Sequence, residues 1–373
     1  MKELYYIVPH KDFFKKNPAG RVAHVKGICN GLSKNQVKVT LICEDGVSNF
    51  TKEFEDKVEI IPVINKLSLL GKFGFYLALI ENIKNNKIKY SIVRHDPFFI
   101  LILFLLAPSF FKNISMVEVN GFAFDVKVGF LKYLTKASIV LYAISCIGFK
   151  WILCVNSSIK NDLGLTKLIK DKKLVLFQNG GPDESFLPFI SSKNIEFIFY
   201  GGLNSYVGFN HLVEAFSMIE DKNTFLHIVG FGPDERKVKD LIRNKKNIRF
   251  HQGMRLQELR NFISSKQLRM VGLIPMAIDY KDSNLHPIKA YEYMSLSLPM
   301  IYADCTMNGV LFNKKNSISY KYGEKQSLAK AMQEYISKKQ IYNEYKREIE
   351  RIYSKFTWEK RMKEFLERVD VWN

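Results

Sequence analysis

The sequence predicts an α/β protein made of two doubly wound halves, each a parallel sheet flanked by helices. Three observations predict it. Short apolar, strand-like runs alternate with segments of helical spacing from residue 4 onward, as βαβ units do. The alternation pauses in a linker with one Pro and two Ser, Phe186 to Lys193, and restarts at Phe197. The chain has 373 residues, too many for one ordinary core and suited to two domains of roughly 150–190 residues each.

In the first half, Leu4 to Val8 reads as a buried strand. Val22, Val25, Ile28 and Leu32 recur at helical spacing, so a helix follows. Val37 to Cys43, Val58 to Val63, Ile92-Val93, Ser115 to Val119, Trp151 to Val155 and Leu174 to Phe177 read as further strands. In the second half the strands are Phe197 to Tyr200, Phe225 to Val229, Ile248 to Phe250, Met270 to Ile274 and Met300-Ile301. Helices over Phe209 to Ile219, around Val238 to Ile242, over Leu256 to Ser264 and over Ile288 to Ser295 separate them, and the tail from Glu324 is helical and charged. The expected domains are 1–188, 189–350, and a C-terminal helix, 351–373, able to cross back to the first domain.

Hydrophobic residues make up 47% and charged residues 25%, a globular rather than disordered balance. Lys and Arg number 56 and Asp and Glu 37, so the net charge is +19. Such a field attracts phosphates, nucleic acid or an anionic membrane. Zinc-finger spacing and an aromatic–basic RNA signature are both missing, which sets the nucleic-acid class behind the others. The five Cys form no C-x-x-C and mostly have apolar neighbours, as buried thiols in a reducing compartment do. The start, Met1 to Leu4, reads as no signal peptide, so the Asn113 sequon is taken as chance. Two apolar runs, Pro97 to Phe111 and Ala137 to Val155, are interrupted by Pro108 and Lys150. A membrane span needs about 20 apolar residues; buried helices are the expectation, with shallow membrane contact by the first run as the alternative.

The chemistry concentrates between Asn284 and Tyr302. Pro287 suits the first position of a helix. The amides of Ile288 and Lys289 would then point out of the helix start, an anion site fit for a diphosphate. Glu292 falls about one and a half turns further on, where a carboxylate can accept from ribose hydroxyls. Lys289 puts a cation at the helix end where a cation is normally unfavourable, and a bound diphosphate would account for it.

This stretch resembles the donor-site signature of glycosyltransferase family 4, in the variant P-x-K-x-x-E-Y-M-A-x-G-x-P-V-I. Pro287, Lys289, Glu292, Tyr293, Met294, Pro299 and Ile301 match in place; Asn284 stands where a first Glu would be, and Ser297 replaces the usual Gly. Gln178 to Phe186, Phe199 to Gly208 with Leu212 to Ala215, Val229-Gly230-Phe231-Gly232-Pro233, and Ile248 to Gly253 resemble further motifs of the family in order. In the first half, Gly20 to Val25 resembles the G-G-x-x-x-H-V opening, Val93 to Pro97 resembles H-x-H-E-P, and Val117 to Gly121 resembles the next strand end. The family's Arg and Lys that hold the diphosphate are replaced by Gly202 and Val207.

The resemblance implies the GT-B fold, two Rossmann-like domains facing a central cleft, and a retaining hexosyltransferase that uses a nucleotide-sugar as co-substrate, with no cofactor and no metal. No Asp-x-Asp is present. The site residues it implies are His95, Asn120 and Asn284 near the reacting sugar. The donor is assigned to Gly20, Arg21, Gly201, Gly202, Gly230, Arg255, Pro287, Ile288, Lys289 and Glu292. The expected acceptor is a lipid-linked saccharide at the cytoplasmic face of the cell membrane, in a bacterium building surface polysaccharide such as O-antigen, with an anionic membrane surface as partner and no nucleic acid. The rivals are a nucleotide-sugar 2-epimerase, against which Asn284 counts because an epimerase wants paired carboxylates, a catalytically degenerate sugar-nucleotide-binding relative, and a basic nucleic-acid-binding protein.

Overall fold

The structure is a computed structural model and describes residues 2–14, 20–64, 70–121, 131–183, 185–189, 194–221, 223–276, 287–304, 311–369 and 372. The chain divides into two compact units, Met1–Asn179 with Trp358–Asn373, and Gly180–Thr357.

The first unit runs β1 (Lys2–Ile7), α1 (Gly20–Lys34), β2 (Val37–Glu44), β3 (Val58–Val63), α2 (Gly71–Asn85), β4 (Tyr90–Arg94), α3 (Pro97–Leu106), β5 (Ile114–Val119), α4 (Leu131–Cys146), β6 (Trp151–Cys154), α5 (Ser157–Leu165) and β7 (Leu174–Leu176). Its seven strands are all parallel, in the order β3-β2-β1-β4-β5-β6-β7. Alternate residues of each central strand enter different cores, as the period of a strand requires. Leu4 and Tyr6 of β1, with Leu41 and Cys43 of β2, pack in one core; Ile7 and Ile42 pack in the other.

The second unit runs β8 (Ile195–Gly202), α6 (Phe209–Ser217), β9 (Leu226–Phe231), α7 (Glu235–Ile242), β10 (Ile248–His251), α8 (Leu256–Lys266), β11 (Arg269–Ile274), α9 (Ile288–Ser295), β12 (Met300–Ala303), β13 (Ser317–Tyr320), α10 (Lys325–Ser337) and α11 (Lys339–Ile352). Its six strands are parallel, in the order β10-β9-β8-β11-β12-β13. Phe197 and Phe199 of β8 enter one core and Ile198 the other. Segment 185–187 is fastened to this unit: the amides of Ser185 and Leu187 donate to the carbonyls of Ser295 and Leu296 at 2.9 and 3.3 Å.

The last helix, α12 (Trp358–Val369), belongs to the first unit. Trp358, Met362, Phe365 and Val369 recur at helical spacing and are buried in the core under α1. Two glycines of α1 make the approach close: a Cβ on Gly27 would lie 2.1 Å from the Trp358 indole nitrogen, and one on Gly31 2.6 Å from the Trp358 carbonyl oxygen.

Two expectations need correction. The run Ala137 to Val155 is the end of α4 followed by β6, with a turn at Gly148 between them. The run at α3 is helical, but only Phe99, Ile100 and Leu103 are buried. Phe98 is 62% and Leu105 75% exposed, so α3 carries an unburied apolar face. No helix among the described residues is long and apolar enough to cross a membrane. The thiols of Cys29, Cys43, Cys146 and Cys154 are free and buried.

Candidate functional site

In a doubly wound sheet the strand order reverses at one point, and ligands bind outside the carboxyl ends of the strands there. In the second unit that point lies between β8 and β11. Gly201 and Gly202 end β8. Gly201 has φ 139°, backbone that side chains rarely adopt. A Cβ on Gly230 would sit 2.0 Å from the Gly201 carbonyl oxygen, so Gly230 lets β9 approach β8.

Helix α9 stands beside this strand end. Pro287 is its N-cap, with ψ 131°, and the first helical residue is Ile288. Pro287 therefore lies one residue earlier than its expected place, because its extended ψ does not continue into a helical turn. The amide of Ala290 donates to the Pro287 carbonyl at 3.0 Å; those of Ile288 and Lys289 precede any helical acceptor. The far side of α9 is fixed in the core. The Tyr293 hydroxyl accepts from the amide of Tyr200 at 2.8 Å and donates to the carbonyl of Ile198 at 3.1 Å. Gly272 of β11 makes room for that ring, since a Cβ there would meet it at 2.6 Å.

This packing turns Lys289 towards β8. Its ammonium lies 4.1 Å from the centre of the Phe199 ring, and a Cβ on Gly201 would be 3.4 Å from its Cε and Nζ. Burial lowers its pKa to about 8, against the pull of the Glu292 carboxylate. Among the described residues no hydrogen bond or ion pair reaches Nζ. Glu292, one turn on, is partly exposed. Arg255 is exposed at the start of α8, where its amide donates to Glu258 Oε2 at 2.7 Å. Val207 is fully buried in the core, so a cation could not replace it without burying charge. Gly201, Gly230, Pro287, Ile288, Lys289 and Glu292 thus gather around β8 and α9, with Gly202 ending the same strand. Asn284 lies outside the described residues.

Ser297, in the usual Gly position, has φ 54°. Its hydroxyl accepts from the buried ammonium of Lys346, which also donates to the Leu187 carbonyl at 2.5 Å and Glu350 Oε1 at 2.7 Å.

In the first unit the order reverses between β1 and β4. Gly20 opens α1 and, like Arg21, is exposed. The Arg21 and Arg94 guanidinium groups each lie 5.2 Å from the centre of the Phe13 ring. His95 follows β4, is 7% exposed, bonds Ser145 Oγ through Nε2 at 2.8 Å and stacks on Tyr142. Burial lowers its pKa to about 3, so the ring is neutral, and Nδ1 is buried with no hydrogen-bond partner among the described residues. Asn120 follows β5, and its amide nitrogen donates to Glu118 Oε1.

Glu118 is a member of this site that sequence reasoning passed over. It is wholly buried and also accepts from the Tyr6 hydroxyl, from His24 Nε2 at 2.5 Å and from Arg94 Nη1 at 3.5 Å. Burial alone would raise its pKa, but His24 and then Arg94 and Tyr6 outweigh burial and hold it at about 2. His24 Nδ1 is 2.6 Å from Asn179 Oδ1, so the network joins the ends of β1, β5 and β7 through α1. The available signal was a lone carboxylate inside an apolar strand, Val117-Glu118-Val119, which must be paired if buried. Among the described residues no group of His, Cys, Asp and Glu could hold a metal ion.

Residues 183–354 match the family model described as glycosyl transferases group 1. No curated protein matches the chain significantly. Solved structures share its fold over nearly its whole length. Sucrose-phosphate synthase from Thermosynechococcus elongatus superposes with a TM-score of 0.77 at 14% identity, covering 100% of both chains. The Anabaena protein HepE, solved with UDP and glucose, gives 0.72 at 12%, covering 98% of this chain and 100% of that one. The lipopolysaccharide outer core galactosyltransferase WaaB gives 0.66 at 14%, covering 99% of both. The fold is therefore GT-B, two Rossmann-like units with parallel sheets.

Proposed function

We propose that this chain transfers a hexose-type sugar from a nucleoside-diphosphate sugar to an acceptor with retention, and that the acceptor is a lipid-linked saccharide at the cytoplasmic face of a membrane. The observation that carries the reading is the start of α9. Two helix-start amides and the ammonium of Lys289, unpaired among the described residues, lie at the end of β8. Positive charge so placed suits a diphosphate. Negative charge grows on that diphosphate as the sugar leaves, and donors already in position stabilise it without reorganising. Glu292 takes the ribose hydroxyls. Arg255, exposed at the start of α8, is a further cation for the donor. In the first unit, Gly20 and Arg21 are assigned to the donor, and His95 and Asn120 to the reacting sugar, as is Asn284. The transfer requires no metal or cofactor in this reading.

The family match over 183–354 supports sugar transfer, and the UDP and glucose bound to HepE support a nucleotide-sugar donor. The test is a panel of nucleotide-sugars added to the purified protein during thermal unfolding, because a ligand of the folded state raises its melting temperature by mass action. One donor is expected to raise it and then to release its diphosphate when lipid-linked acceptor is supplied. A melting temperature that no donor moves counts against the reading.

A further inference from the structure

The geometry points to a binding site for anionic phospholipid headgroups at the amino edge of the first unit's sheet, beside the exposed face of α3. This inference extends the membrane part of the proposed function and stands or falls without its chemistry. A pocket of about 560 Å³ lies where α2 ends and where the chain enters β4 and β5. Lys84, Lys87, Lys89 and Lys112 line it, with Ala107 and Phe110 among its apolar lining. All four lysines are exposed, and among the described residues none is paired with a carboxylate. No Asp or Glu lines the pocket. Single-sign charge of this kind seeks phosphate groups.

The second observation is what adjoins it. Ala107 directly follows the last turn of α3, where Phe104 is 57% and Leu105 75% exposed. The apolar band continues to the end of α4, with Ile144 in its last turn and Ile147 just past it, and Lys150 follows. Exposed apolar side chains rimmed by lysines match the layering of a membrane surface, acyl chains below and anionic headgroups above. A soluble partner would not require both in that order. The occupant is therefore a bilayer with anionic lipid, its headgroups in the lysine pocket and its acyl boundary against Phe104 and Leu105.

The test uses the full chain and vesicles of phosphatidylglycerol mixed with phosphatidylcholine, compared with phosphatidylcholine alone. Binding should be confined to the anionic vesicles and should weaken with salt. A lysine beside an anionic surface strengthens binding roughly 5-fold, so replacing Lys84, Lys87, Lys89 and Lys112 together by Gln should weaken it on the order of 100-fold or more. Replacing Lys237, Lys245, Lys246 and Lys330 by Gln removes the same charge from the other unit and should cost far less. Phe104→Ser with Leu105→Ser should also weaken binding. The inference is overturned if both lysine sets lose equally, if neither loses, if neutral vesicles bind as well, or if the protein is a dimer in solution that the Phe104 and Leu105 changes dissociate. Nucleotide binding is read separately by thermal shift, so failure here does not decide the sugar-transfer reading, nor the reverse.

Discussion

The ammonium of Lys289 rests 4.1 Å from the centre of the Phe199 ring, over the strand that ends at Gly202. A ring face attracts a cation, but it does not satisfy three N–H donors. With burial lowering the pKa to about 8, the group is costly to hold charged until an anion arrives.

That arrangement predicts a pH dependence for donor binding. The ammonium form binds diphosphate, and above pH 8 the free protein must first take up a proton. Affinity should therefore fall as pH rises past about 8, by up to about tenfold per unit. Calorimetry at pH values on either side would show it, and Lys289→Met should abolish the step. A pH-independent affinity in the wild type would assign the counter-charge to another group.

The Glu118 network predicts acid lability. Its folded pKa of about 2 lies below the ordinary 4.5, so the stability it contributes is present above 4.5 and is lost as pH falls towards 2. His95, depressed from 6.5 to about 3, acts in the same direction over its own window, because the unfolded chain takes up the proton first. Each group adds up to about 1.4 kcal/mol per pH unit within its window. Glu118→Gln should cost about 3–5 kcal/mol at neutral pH, the range for breaking a buried pair, and should flatten the acid limb of a denaturation series. An unchanged acid limb would place the titrating groups elsewhere.

Ser297 predicts an interaction energy. A left-handed residue with a Cβ costs about 1–2 kcal/mol, and here the hydroxyl returns part of that by accepting from Lys346. Ser297→Gly alone should change stability by less than about 1 kcal/mol, relief of strain offsetting a lost acceptor. In a Lys346→Met background the same change should stabilise, since only strain relief remains. Equal effects in both backgrounds, measured by urea unfolding, would show that the two side chains are not coupled.

Much of the fold was legible because its strands are short apolar runs and its helices keep a regular spacing. Leu4 to Val8 and Phe197 to Tyr200 sit at the centres of their sheets, buried on both faces, and such strands advertise themselves. β13 was missed because Ser317-Ile318-Ser319-Tyr320 is polar and short, a strand held at the sheet edge by β12. The outward face of α3 was hidden because a helix apolar all round reads as buried whichever side meets solvent. For the site, Lys289 was legible from charge in the wrong place on a helix. The Glu118 partners Tyr6, His24 and Arg94 were not, because they are scattered along the chain: Tyr6 and Arg94 reach Glu118 through the parallel register of β1, β4 and β5, and His24 through the packing of α1.

The most direct test of the account is calorimetric titration of UDP, GDP, dTDP and ADP into the wild-type chain, Lys289→Ala, and Lys330→Ala as a surface control. One diphosphate is expected to bind the wild type, Lys330→Ala to bind it equally, and Lys289→Ala to weaken it by about 1.5–3 kcal/mol, roughly tenfold or more, as for a lost charged hydrogen bond. Equal affinity of Lys289→Ala and wild type, or no binding of any diphosphate to the wild type, would contradict this expectation.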